Sequence, residues 1–252
     1  MALIGFSTGA LSLGDFERGL ELIRQNQLKA VELSALREHE LEPLVKSLPK
    51  LDLTGFDYIS VHAPSAIKHL SEKNVVALLS EIAQYGWPII VHPDVIIDIN
   101  KWHQLGDRLT IENNDRRKQC GQRCEDIDKW LQRYPKAGFC LDMGHAWQVD
   151  RTMVEAYMML KRFGHRLYQL HISEVSAMSK HERLSFLFVK ALKGIASHIP
   201  ASIPVIIESV VQEDYIQTEI ANVKTALNSE GWHISQTSFK KTEDRGLHRV
   251  TP

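Results

Sequence analysis

Short apolar or β-branched runs recur along the chain, each followed by a longer stretch with helical periodicity. The runs are LIGFS (3–7), KAVELS (29–34), DYISVH (57–62), PIIVH (88–92), RLTIEN (108–113), GFCLDM (138–143), LYQLHIS (167–173) and PVIIES (204–209). Their near-continuous apolar character, in place of strict alternation, is the pattern of strands buried on both faces of a parallel sheet. Between them Phe16, Leu20, Leu22 and Ile23, then Val75, Leu78, Leu79 and Ile82, then Met153, Tyr157, Leu160 and Phe163 recur at helical spacing. Eight strand–helix units in about 230 residues predict an α/β fold, the (β/α)8 TIM barrel, because open doubly wound sheets rarely run so many parallel strands without a reversal. No linker-like segment divides the chain, so residues 1–230 are expected to form a single barrel domain and 231–252 a polar C-terminal tail. Between the fourth and fifth strands WHQLGD (102–107) leaves room only for a stub of helix.

Composition bears on partners more than on fold. The 252 residues are 44% hydrophobic and 24% charged, enough apolar material for a buried core and too much for disorder. Thirty Lys and Arg against 31 Asp and Glu leave a net charge of −1, so no overall positive field draws a polyanion. A small-molecule substrate is the expected partner, and nucleic acid is not. No apolar run approaches the ~20 residues of a membrane span, and the start MALIGFSTGALSLGDFERG lacks the basic region of an export signal. Cys120, Cys124 and Cys140 are too few for a disulfide framework. These features predict a cytoplasmic protein without membrane association; nothing in the pattern specifies an oligomer.

In a TIM barrel the C-terminal strand ends converge on one mouth, where the active site forms. Here strand three ends in His62, strand four in His92, strand five in Glu112, strand six in Asp142, strand seven in His171 and strand eight in Glu208. Three carboxylates and three imidazoles crowded together call for a cation, since buried charges without a partner are costly. Glu112 stands between the two halves as the natural bridge. One site would be His62, His92 and Glu112, suited to zinc. The other, Glu112, Asp142, His171 and Glu208, is oxygen-rich and suits manganese, magnesium or zinc. No organic cofactor is expected. His145, three residues past Asp142, and His181, ten past His171, are candidates for a third metal or for a substrate oxygen.

SVHAPS, IVHPD, TIENND, CLDMGHA, LHISEV and IIES, in this order, resemble the strand-end motifs of the xylose isomerase-like TIM-barrel superfamily, which holds sugar isomerases and epimerases together with endonuclease IV-type enzymes. The likeness covers residues 57–210. It implies that Glu112, Asp142, His171 and Glu208 match the metal quartet of the isomerases and epimerases. The same four with His62, His92, His145 and His181 match ligands of the trinuclear zinc cluster of the endonucleases. Ser179 stands where those endonucleases carry an aspartate, and Ser65 where they carry an inserting aromatic residue. The expectation is therefore a metal-dependent isomerase or epimerase of a small sugar, polyol or hydroxy-ketone, with Glu112 and Glu208 moving the proton and His145 holding a substrate oxygen. The alternative is a zinc-dependent phosphoester hydrolase of endonuclease IV type.

Smaller signals complete the reading. Glu32, ending strand two, points at the same mouth and would bind a substrate hydroxyl or pair with Arg37 or Lys68. Arg183 is a candidate cation for the substrate, and Trp147 with Phe6 candidate pocket walls. Cys120 and Cys124 share one helical face by spacing, and Arg116, Arg117 and Lys118 form a basic run, solvated or facing the mouth.

Overall fold

Parallel strands rich in Val, Ile and Leu need apolar cover on both faces, and here the closure of the sheet and a jacket of helices supply it. In the computed structural model, which describes residues 3–228, the strands are β1 (Ile4–Ser7), β2 (Ala30–Ser34), β3 (Tyr58–His62), β4 (Ile89–Val91), β5 (Leu109–Glu112), β6 (Gly138–Asp142), β7 (Leu167–Ile172), β8 (Glu174–Val175), β9 (His181–Glu182) and β10 (Val205–Ile207). Eight of them close a parallel barrel in the order β1-β10-β7-β6-β5-β4-β3-β2, and β8 and β9 form a separate antiparallel hairpin. Ten α-helices occur among the described residues: α1 (Thr8–Ser12), α2 (Phe16–Gln25), α3 (Glu38–Ser47), α4 (Glu72–Ala83), α5 (Ile99–Trp102), α6 (Cys124–Arg133), α7 (Met143–Val149), α8 (Val154–Phe163), α9 (Phe186–Ile195) and α10 (Ile216–Leu227). The expected barrel is thus the observed one, and the short α5 with the 3-10 turn His103–Arg108 is the expected stub. The tail expected over 231–252 lies outside the described residues. No helix among the described residues is long and apolar enough to cross a membrane.

Local chemistry starts the helices. Asp15 caps α2 by accepting from the Arg18 amide at 3.0 Å, and Ser71 and Ser185 cap α4 and α9 from the Asn74 and Phe188 amides, each at 3.2 Å. The helices bury Leu20 and Ile23, Val75 and Leu79, Ile127 and Leu131, and Phe188 and Leu192 against Val31, Val61, Ile111, Leu141 and Ile207 of the strands in one continuous apolar core.

Strand residues two apart share a face, so the positions alternating with that core point into the barrel. They are unusually polar: Glu32, Ser60, Thr110, Cys140 and Gln169 are all fully buried, where barrels commonly carry branched apolar side chains. Register sets Glu32 beside Ser60, Ser34 beside His62, Glu112 beside Cys140, and Asp142 beside His171. The next inward position on each of these strands, or just past its end, belongs to the strand-end residues.

Candidate metal centre

Six strand-end side chains and the first turn of α7 build the centre. His62, Glu112, Asp142 and His171 lie at or near the last residues of β3, β5, β6 and β7, while His92 and Glu208 each stand one residue beyond β4 and β10. Asp142 is also the N-cap of α7: its Oδ1 accepts from the His145 amide at 2.6 Å, which carries His145 to the cluster one turn later. Asn113 staples the two strand ends, accepting from the Asp142 amide at 2.7 Å, donating to its carbonyl at 2.9 Å, and taking the Nδ1–H of His145 on its own carbonyl at 2.8 Å. All six strand-end residues and His145 are buried.

Ligand atoms of Glu112, Asp142, His171 and Glu208 lie within 4.8 Å of one another, and so do those of His62, His92 and Glu112. Glu112 belongs to both groups. Its Oε2 stands 3.1 Å from His62 Nε2 and 3.4 Å from His92 Nε2, and its Oε1 stands 3.2 Å from His171 Nδ1. Glu208 reaches the same His171 Nδ1 at 3.3 Å. The imidazoles form an arc, with ring centroids 5.2 Å apart for His62 and His92, 5.7 Å for His92 and His145, and 5.4 Å for His145 and His181.

A divalent ion fits these donors. His62 spends its Nδ1–H on the Ala63 carbonyl at 2.7 Å, which leaves Nε2, 3.1 Å from Glu112, as the nitrogen available to an ion; without one, burial works against the imidazolium but the Glu112 carboxylate outweighs it and holds the ring above its ordinary value. Asp142 Oδ2 and His92 Nδ1 are buried without a hydrogen-bond partner. Nitrogen donors on one side and three carboxylates on the other are the ligand chemistry of zinc or manganese.

Electrostatics pull the groups apart. Burial pushes His92 down to about 3 and His181 down to about 4, with neighbouring imidazoles adding to both, so each is neutral at pH 7. Glu112 is also disfavoured as an anion by burial, yet His92 and His171 outweigh this and hold it well below the usual carboxylate range. Glu208 goes the other way: burial first, then the charges of Glu112 and Asp142, raise it well above that range.

The remaining expected residues separate into those at the mouth and those that are not. His181, at the start of β9 and not on an open loop, is half-buried and shares a 2.8 Å hydrogen bond with Ser173 through Nδ1. Arg183 is exposed and lays its guanidinium 4.0 Å over the Tyr215 ring; with Lys180, His181, Glu182 and Val210 it lines a cavity of ≈ 620 Å³. Trp147 is buried against Phe188, with Arg151 4.7 Å over its ring. Phe6 belongs to the apolar core and not to a pocket wall. Glu32 does not sit at the rim and pairs with neither Arg37 nor Lys68. It is fully buried at the floor of the cluster, bonded to His171, Gln169 and Ser60 and with a ligand atom within 4.8 Å of those of His62, His171 and Glu208, because its strand position is the second-to-last inward one. Cys120 and Cys124 share no helical face, since α6 begins only at Cys124 and Gly121, at φ +78°, breaks the chain between them. The run Arg116–Lys118 is only partly solvated: Lys118 pairs with Asp94 at 2.8 Å and with the Ser65 carbonyl at 2.8 Å.

Sequence reading missed Cys140, whose ligand atom lies within 4.8 Å of those of Glu112 and His171, and the buried Gln169, Ser60 and Asn113. Their signal was available, as Ser60, Cys140 and Gln169 each precede a strand-end ligand by two residues and therefore share its face.

No family model and no curated protein matches the sequence. Solved structures do match in fold. Endonuclease IV from Thermus thermophilus superposes with a TM-score of 0.56 at 16% identity, over 88% of this chain and 98% of that one. The IOLI protein with a bound zinc atom gives 0.55 at 16%, over 90% and 95%. The 3-keto-D-glucoside 4-epimerase of E. coli, in its apo form, gives 0.55 at 13%, over 90% and 99%. The chain shares the TIM barrel of xylose isomerase-like sugar enzymes and of endonuclease IV.

Proposed function

We propose that the chain is a divalent-metal-dependent isomerase or epimerase acting on a small sugar, polyol or hydroxy-ketone. The observation that carries this is the quartet Glu112, Asp142, His171 and Glu208, with donors converging within 4.8 Å at the mouth of the barrel. A surface depression lined by His181 and Arg183 reaches the cluster through His181, which stands 3.6 Å from Glu208. The bound zinc of the IOLI protein and the epimerase among the similar folds point the same way.

Zinc or manganese held by the quartet supplies Lewis acidity toward neighbouring carbonyl and hydroxyl oxygens. Glu112 and Glu208 stand at the two ends of the quartet, with β6 and β7 between β5 and β10 in the barrel order. One takes the proton from the carbon beside the substrate carbonyl, and the other returns a proton at the end of the reaction. His145, with Nδ1 occupied by the Asn113 carbonyl, keeps Nε2 free to accept from a substrate hydroxyl. Arg183, stacked on Tyr215, orients the distal end of the substrate.

A second reading rests on the adjoining group His62, His92 and Glu112, more donors than a single-ion isomerase needs. Two ions sharing Glu112 suit phosphoester hydrolysis, the chemistry named by the endonuclease IV match. The test sets the two side by side. The metal-loaded protein is given a panel of ketoses in deuterated water and, separately, an abasic DNA duplex. Wash-in of deuterium at a substrate carbon, lost in Glu208→Gln, is the expected result. Multiple-turnover nicking abolished by Glu112→Gln would replace the first reading with the second.

A further inference from the structure

Beneath the cluster the barrel interior holds a buried polar ladder. The Tyr58 hydroxyl donates to Gln169 Oε1 at 2.6 Å, which fixes the amide so that Nε2 faces Glu32 and donates to its Oε2 at 2.7 Å. The Ser60 hydroxyl donates to the same oxygen at 3.1 Å, and His171 Nε2 stands 3.0 Å from it. Glu32 and Gln169 are fully buried on inward positions, and burying a carboxylate this deeply is costly without a compensating role.

We propose that Glu32 is a positioning residue for the metal centre: locked by Ser60 and Gln169, it accepts the Nε2–H of His171 and so turns Nδ1 of that ring, the nitrogen left to bind an ion, toward Glu112 and Glu208. The inference rests on the reading of the quartet as a metal site. A histidine binds metal through one ring nitrogen only when the other is held by a partner, and a carboxylate partner also raises the basicity of the ring. Two other arrangements satisfy the distances. Ligand atoms of Glu32, His62, His171 and Glu208 also lie within 4.8 Å of one another, so an ion held there would take Glu32 and a bare His171 Nε2 as ligands, an arrangement that a proton on Nε2 in the zinc-loaded chain excludes. The second runs through Gln169. Gln169 Nε2 stands 2.6 Å from His171 Nε2 and has a second hydrogen to give. If it gave that hydrogen to the ring, His171 would carry its proton on Nδ1, facing the quartet, and could not be a ligand there. The carboxylate decides between them, because a bare Nε2 would set its lone pair against Glu32 Oε2, whereas an N–H there makes a charge-assisted bond.

The experiment reads both the ring and the metal. Ring ¹⁵N spectra of the labelled full chain report which nitrogen of His171 carries the proton, with or without zinc, and a zinc titration gives affinity for wild type, Glu32→Gln and Tyr58→Phe. Expected are a protonated Nε2 in the wild type, a roughly 10- to 100-fold loss of zinc affinity in Glu32→Gln, the usual range for removing such a partner, and a smaller loss in Tyr58→Phe. The visible spectrum of the cobalt-substituted protein should change in Glu32→Gln while its melting curve stays cooperative. A wild-type Nε2 without a proton overturns the proposal whether or not zinc binds, and so does undiminished affinity in Glu32→Gln. A wild type that binds no zinc but carries the proton on Nε2 overturns the metal reading and leaves the orientation of His171 by Glu32 standing.

Discussion

Across the barrel mouth the Ser179 hydroxyl donates to Asp115 Oδ1 at 2.6 Å, tying the hairpin of β8 and β9 to the loop that follows β5. Asp115 is thereby committed to Ser179 and to the Arg117 amide at 2.8 Å. Asp115 is therefore not free to join His145 and His181 as a ligand, and the carboxylates nearest these two histidines, Glu112, Asp142 and Glu208, belong to the quartet. The chain should hold no third ion tightly, whereas Ser179→Asp should add one, because two carboxylates forced together need a cation. Ion counts on both proteins after dialysis check this; equal counts would refute it.

Gly144 lies at the start of α7, two residues past Asp142 and directly before His145. A Cβ there would lie 2.4 Å from the Ser173 carbonyl oxygen and 2.7 Å from Val175 Cγ2, distances no side chain tolerates. Gly144→Ala should cost about 1–3 kcal/mol of stability. It should also weaken metal retention, because the strain moves α7 with His145 or the hairpin with His181. Urea unfolding and metal content measure the two effects.

Stability of the metal-free protein should fall as the pH drops from about 6.5 to 4.5. His92 at about 3 and His181 at about 4 stay neutral in the folded chain, while in the unfolded chain they take up protons near their ordinary value of 6.5. The unfolded state thus binds more protons across this window and is favoured by acid. Glu208, raised by burial, retains a proton in the folded state and opposes the trend, while Glu112 and Glu32, held below the ordinary carboxylate value, add to it toward pH 4.5. His171, raised well above 6.5, and His62, also raised, act on the alkaline side of the window. Urea midpoints in chelator at pH 6.5, 5.5 and 4.5 should decline, and His92→Gln should flatten the decline. Rising midpoints would contradict the assignment.

Arg166, directly before β7, is tied to the end of α6 and to the segment that leads from it into β6. Its guanidinium donates to the carbonyls of Ala137 at 2.9 Å, Leu131 at 2.9 Å and Tyr134 at 2.6 Å. Arg166→Leu strips all three and should cost about 2 kcal/mol, and Arg166→Lys should recover little, because one ammonium cannot span the fork. Thermal unfolding of the two variants tests the comparison.

The barrel and its strand-end residues were legible because both rest on short-range pattern. Parallel strands announce themselves as apolar runs, and a strand end is found by reading to where the run stops, as at His62 and Glu112. What escaped depends on contacts distant in sequence. Glu32 read as a rim residue although the run KAVELS already reaches Ser34, which places Glu32 one inward position deeper. The hairpin of β8 and β9, which places His181, was invisible because two-residue strands carry no periodicity. Cys120 was misplaced because spacing alone cannot show that Gly121 ends one turn before α6 starts another.

The central claim is that Glu112, Asp142, His171 and Glu208 hold a divalent ion. Elemental analysis of the purified, dialysed protein, with ions counted per chain, tests it most directly. At least one zinc or manganese per chain should remain in the wild type and be lost in the Asp142→Asn, His171→Ala double variant. A wild type that retains no ion after reconstitution, or a double variant that keeps its full complement, would contradict the account.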